Sequence, residues 1–81
     1  MHIRENDILI MLKELHPDID FEREKNLVDD EFIDSFDVVS IIAEIGERFD
    51  VTIGARDITP ENFNSVEKIA ALVQKAADAE R

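Results

Sequence analysis

In the stretch FIDSFDVVSIIAEIGERFDV, residues 32 to 51, the hydroxyl of Ser35 stands between the acids Asp34 and Asp37 and close to Phe32 and Phe36. A serine in such a setting can act as a nucleophile or as a point of covalent attachment. Nucleophilic use needs a base within hydrogen-bond reach, most often an imidazole. The only histidines are His2 and His16, in or beside the first expected helix, so the sequence supplies no base for Ser35 and no enzyme is expected. The acids raise the thought of a calcium loop in LVDDEFIDSFDVV. No alignment of that segment brings alternating oxygen ligands, a central glycine and a closing glutamate into place together, and no metal site is expected. For Asp34 and Ser35 alone, a helix N-cap followed by a tolerated first-turn residue is a sufficient account.

The helix that Asp34 caps has the clearest pattern in the chain. Val38, Ile41, Ile42, Ile45 and Phe49 fall on one face, and Ser40, Glu44 and Glu47 on the opposite one. At about 100° per residue, Phe36 and Ala43 lie outward with Glu47, and Asp37 and Glu44 fall on the same outward side. An exposed phenylalanine is ordinary singly, but this one adjoins the candidate serine. Asp34 and Asp37 also lie near the positive end of the helix dipole. Asp50 and the β-branched Val51, Thr52 and Ile53 end the helix, and Gly54 starts a turn.

Two longer helices and a short one complete the expected framework. Ile8, Leu12 and Leu15, widened by Ile3, Leu9 and Met11, predict a first helix over residues 3 to 15, closed by Pro17. From His16 to Ile33 the periodicity disappears, although Ile19, Phe21, Leu27, Val28, Phe32 and Ile33 can anchor the segment to a core. A connection this long in so small a domain is expected only where it has a function. Thr59 followed by Pro60 predicts a short third helix. A last helix begins at Asn64 or Ser65, where Asn64 and Glu67 have the spacing of a capping box, and buries Val66, Ile69, Ala70 and Val73. The expected fold is all-α: a small four-helix bundle of three longer helices and one short one, with a long loop after the first, in a single domain over residues 1–81.

Composition narrows the function. Twenty Asp and Glu against nine Lys and Arg give a net charge of -11, which repels nucleic-acid phosphates and anionic membrane surfaces. A macromolecular partner is expected to present a basic face. With no cysteine, the chain has no disulfide, no thiolate metal site and no thiol nucleophile of its own. If it handles thioesters, the sulfur is imported. No apolar run approaches the ~18 residues that span a bilayer, and MHIRENDILI lacks the apolar segment of a signal peptide, so a cytoplasmic protein is expected.

The run DSFDVVSIIAEIGERFDVTI, preceded by LVDDEFI and followed by NFNSVEKIAALV, resembles a phosphopantetheine carrier of the acyl carrier protein family over roughly residues 3 to 76. Each piece is weak alone; joined at these separations they are specific. The resemblance implies that a phosphopantetheinyl transferase installs 4′-phosphopantetheine on Ser35 from coenzyme A. The thiol of that arm then holds an acyl or aminoacyl group as a thioester, and the protein is a substrate rather than a catalyst. A serine at a helix N-terminus suits this, because free backbone N–H groups there favour anions.

The resemblance also implies that loading and acyl-transfer enzymes with basic docking faces recognise the second helix, through Asp34, Phe36, Asp37, Glu44 and Glu47. Such encounters are fast, weak and salt-sensitive. Ser40 and Gly46 stand where many fatty-acid carriers have acids, and Gly46 weakens the helix by up to ~1 kcal/mol relative to Ala. Phe32 stands where the family commonly has glycine. The Asp-Ser-Phe form with ERFDV is similar to D-alanyl and other specialised carriers. The competing reading is an unmodified acidic helical interaction module in which Ser35 only follows a cap. Stripes of Ile, Val and Leu could also part to admit a fatty chain beside Ser35, though ordinary packing explains them equally.

Overall fold

The computed structural model describes residues 2–80. Three α-helices carry the fold: α1 (Glu5–Leu15), α2 (Ser35–Phe49) and α3 (Val66–Ala79). No strand occurs among the described residues. The expected fourth helix is a correction. Pro60–Phe63 forms a single turn of 3-10 helix, preceded by another at Ala55–Asp57. Its start matches the sequence reading, since Pro60 occupies the first position and the Asn62 N–H donates to the Thr59 hydroxyl at 3.4 Å. The turn ends where Ser65 takes the extended conformation of the α3 N-cap and the Asn64 carbonyl accepts from the Leu27 N–H.

Each helix contributes one buried stripe to a continuous core: Ile8, Met11 and Leu12 from α1, Val38, Ile41 and Ile45 from α2, and Val66, Ile69, Ala70, Leu72 and Val73 from α3. Val51, Ile53 and Phe63 close it from the segment between α2 and α3. Fully burying one such side chain stabilises by about 1.5–3 kcal/mol, more than the ~1 kcal/mol that Gly46 costs α2 as a poor helix former. Tertiary burial therefore sets the length of α2. The first helix starts at Glu5 rather than residue 3, yet Ile3 is still buried, and its N–H donates to Gln74 Oε1 of α3 at 2.7 Å. No helix among the described residues is long and apolar enough to cross a membrane.

From His16 to Asp34 the chain runs through turns, fastened by Phe21, Leu27 and Ile33, all buried, and by Ile19 and Val28, packed against the core. Phe32, expected among these anchors, is instead 42% exposed. Just before it Glu31 adopts a left-handed conformation, φ 62°, and the N–H groups of Phe32 and Ile33 both reach the Leu27 carbonyl, at 2.9 and 3.1 Å. Ile33 turns inward and Phe32 is left at the surface.

Of the two expected starts of α3 the structure takes the second, and the capping box of Asn64 with Glu67 is a correction. Ser65 is the N-cap, its hydroxyl accepting from the Lys68 N–H at 3.1 Å. Asn64 is buried and serves the loop. Its Oδ1 accepts from the Val28 and Asp29 N–H groups at 2.9 and 3.1 Å, its Nδ2 donates to Asp29 Oδ2 at 3.1 Å, and its carbonyl accepts from the Leu27 N–H at 2.8 Å. One side chain thus pins the loop that leads to Ser35 onto the start of α3. With the Val28 and Asp29 N–H groups and the buried Asn64 site left without their partners, Asn64→Ala should destabilise by about 1–3 kcal/mol, whereas Ser65→Ala should cost about 1 kcal/mol. Urea unfolding of both variants checks the order; a smaller loss for Asn64→Ala would mean the pin contributes little.

Candidate functional site

The site is built where the loop feeds α2. Asp34, in extended conformation, is the N-cap: its Oδ1 accepts from the Asp37 N–H at 2.9 Å, and Asp37 Oδ2 accepts from the Asp34 N–H at 3.0 Å. This reciprocal cap satisfies two donors that a helix start leaves free. Hydrogen bonding from the Asp37 N–H, the largest influence, holds the Asp34 carboxyl below the usual aspartate range, against a smaller opposing effect of desolvation. Ser35 follows as the first helical residue. It is exposed, and its hydroxyl has no hydrogen-bond partner among the described residues.

A side chain from another element meets the cap. His16, at the C-terminus of α1, places Nε2 3.2 Å from Asp37 Oδ1, with the two side chains 26% and 25% exposed. A parallel contact lies two turns along: Arg48 pairs with Glu14 of α1, and its Nε stands 3.6 Å from Glu44 Oε2, a buried oxygen without a hydrogen bond. Asp37, Glu44 and Arg48 thus line the flank of α2 that faces α1.

On the other flank Ser35 stands at an open cleft of about 200 Å³, walled by Val28, Val38, Val39, Ile58, Thr59 and Pro60. Val39 and Ile58 are exposed apolar residues. Of the candidate positions, Asp34, Phe36 and Glu47 are exposed, Phe36 most of all at 78%, while Asp37 and Glu44 are partly buried. The sequence reading did not single out Val39, Ile58 or His16. Val39 had a local signal, an apolar residue outside the core stripe of an amphipathic helix. Ile58 and His16 had none, since each meets the site only through the tertiary fold.

The family model for the phosphopantetheine attachment site matches residues 9–73, from α1 to α3 and across all of α2. The chain belongs to that family. Members are non-catalytic carriers that hold 4′-phosphopantetheine covalently on a serine. No curated protein and no solved structure matches the chain significantly. The residues of this carrier fit such an arm, because it offers an exposed hydroxyl at a helix start beside an apolar cleft.

The lowered Asp34 carboxyl ties the site to pH. A depressed folded value stabilises above the unfolded aspartate value of about 3.9 and is lost as the pH falls through the folded value. Asp34→Asn keeps a capping oxygen without that titration. The urea midpoint of the natural carrier should therefore exceed that of Asp34→Asn at neutral pH, and the gap should close below about pH 4. A gap that stays constant across the series would show that the cap does not draw on the charge.

Proposed function

We propose that Ser35 is the attachment serine, and that the protein carries an acyl or aminoacyl group as a thioester on the arm and presents it to partner enzymes. The observation that supports this most is the contrast among its three serines. The Ser40 hydroxyl donates to the Phe36 carbonyl at 3.3 Å within α2, and Ser65 is buried as the cap of α3. Ser35 alone is exposed and uncommitted.

In the loading step the Ser35 oxygen bonds to the phosphorus that bears the pantetheine of coenzyme A. The diphosphate P–O bond breaks and 3′,5′-ADP leaves. The hydroxyl proton passes to a base in the transferase. Once attached, the group supplies the thiol that a chain without cysteine lacks. The helix start then favours the phosphodiester through its free N–H groups, and the apolar wall beside Ser35 offers shelter to the arm or its cargo.

The protein works as a monomer in the cytoplasm, with a phosphopantetheinyl transferase and with loading and acyl-transfer enzymes of fatty-acid or lipid biosynthesis as partners. Basic faces on these enzymes are steered by the surplus of carboxylates, and the exposed side of α2, with Asp34, Phe36 and Glu47 outermost and Asp37 and Glu44 along its edge, is where they dock. Phe32 and the Asp-Ser-Phe form suggest a specialised carrier, such as one for D-alanine.

Intact mass after incubation with coenzyme A, magnesium and a broad-specificity transferase tests the assignment. The natural protein should gain one phosphopantetheine and Ser35→Ala none, with both folded by circular dichroism. No gain by the natural protein, where a control carrier converts, would favour the unmodified module; gain by Ser35→Ala would move the arm to another serine.

A further inference from the structure

We infer that His16 is a positioning residue of the attachment site, and that its protonation sets how firmly the start of α2 holds Ser35 for the transferase. It acts through Asp37, so α1 takes part in a step carried out on α2. The inference rests on the reading of Ser35 as the attachment serine and adds a regulation of that site by pH near neutrality.

The backbone fixes His16 in place. Its N–H donates to the Leu12 carbonyl at 2.8 Å, its carbonyl accepts from the Ile19 N–H at 3.3 Å, and Pro17 follows. These bonds close α1 and leave the imidazole Nε2 3.2 Å from Asp37 Oδ1. The other oxygen of that carboxylate accepts from the Asp34 N–H at 3.0 Å. One carboxylate thus joins the end of α1 to the residue that precedes Ser35. If the Asp37 side chain turns away from His16, its half of the reciprocal cap is free to loosen.

Charge selects the form of His16 that makes this contact. A neutral imidazole offers Asp37 at most one N–H, whereas the imidazolium adds a full charge. With the two side chains 26% and 25% exposed, solvent screens that charge only in part. The negative end of the α1 dipole favours the same form. No other cation replaces it: Arg48 of α2 is taken by Glu14 and Glu44, and Lys13 of α1 by Glu22. The charged residues of the turn that follows, Asp18 and Asp20, are exposed acids. Among the described residues Asp37 has His16 as its one ion-pair partner, and every other ion pair uses Lys or Arg. Lys and Arg keep their charge through the neutral range, so a change of about one pH unit there acts on the contact beneath Ser35 and spares the rest. A histidine that gains a carboxylate partner on folding adds stability below the ordinary histidine value of about 6.5 and loses it as the pH rises past its folded value. The cap is therefore firmer at about pH 6, where aspartates are still ionised, than at about pH 8.

The test is transferase kinetics with the full chain at about pH 6 and about pH 8, read as the ratio of kcat/KM between the natural protein and each variant, so that the enzyme's own pH dependence cancels. For His16→Asn the ratio should be about fivefold at the lower pH and within about twofold of unity at the higher one. His16→Lys, charged at both, should match the natural protein at the lower pH and exceed it at the higher. His2→Asn removes the other histidine and should leave the ratio within about twofold of unity at both. In an Asp37→Asn background, His16→Asn should change nothing further. A merely structural His16 would give one ratio at both pH values. That result, or a full effect that persists in Asp37→Asn, overturns the inference and leaves the carrier reading intact. Should His16→Asn fail to fold, His16→Lys decides alone: a ratio that does not change between the two pH values overturns the inference. Failure of the natural chain to accept the arm at either pH, where a control carrier converts, overturns the carrier reading itself.

Discussion

The reciprocal hydrogen bonds between Asp34 and Asp37 decide how this molecule presents Ser35. A helix start leaves several N–H groups without partners, and a hydroxyl in the N-cap position would be drawn into satisfying them. Here the two carboxylates take that task, at 2.9 and 3.0 Å, and the serine is displaced by one position to a place where its oxygen is free. Ser65 shows the alternative. As the cap of α3 it accepts from Lys68 and is buried, and its hydroxyl is no longer available. The contact from His16 to Asp37 extends the same constraint to α1, so the start of α2 cannot shift without disturbing two helices and the loop between them.

Around that fixed point α2 serves three surroundings. One face enters the core through Val38, Ile41 and Ile45. One flank carries Asp37, Glu44 and Arg48 against the end of α1. The remaining side, with Phe36, Val39, Ala43, Gly46 and Glu47, faces solvent. A helix of fifteen residues has about four turns, enough to give each surrounding three to five residues. This division explains why the acids of α2 are unequal: Asp37 is partly buried beside His16 and Glu44 beside Arg48, while Glu47 is exposed.

What was legible from the sequence was local. The 3.6-residue period located α2 and its core face, Asp34 was placed as the cap, and Phe36 was placed outward, all from neighbours within one or two turns. The loop anchors were also readable, apart from Phe32, because buried apolar residues stand out in an acidic chain. What was not legible depended on distant pairs. Asn64 and Glu67 have capping-box spacing, yet the side chain of Asn64 is claimed by amides 35 and 36 positions earlier, and the cap passes to Ser65. The extended conformation that Ser65 takes as that cap also holds the expected fourth helix to one turn. The partnership of His16 with Asp37, and of Ile58 with the wall beside Ser35, likewise appears only when the chain is folded.

The exposed apolar side of α2 also clarifies the extreme charge. A surface carrying Phe36 and Val39 in the open is ordinarily a liability, since two such patches tend to find each other. A net charge of -11 on a small domain opposes that encounter between copies at a distance, before apolar contact begins. The same field attracts any partner with a basic face. Charge and apolar surface act at different stages of any such encounter, because long-range charge acts mainly on association rates and buried apolar contact on dissociation rates.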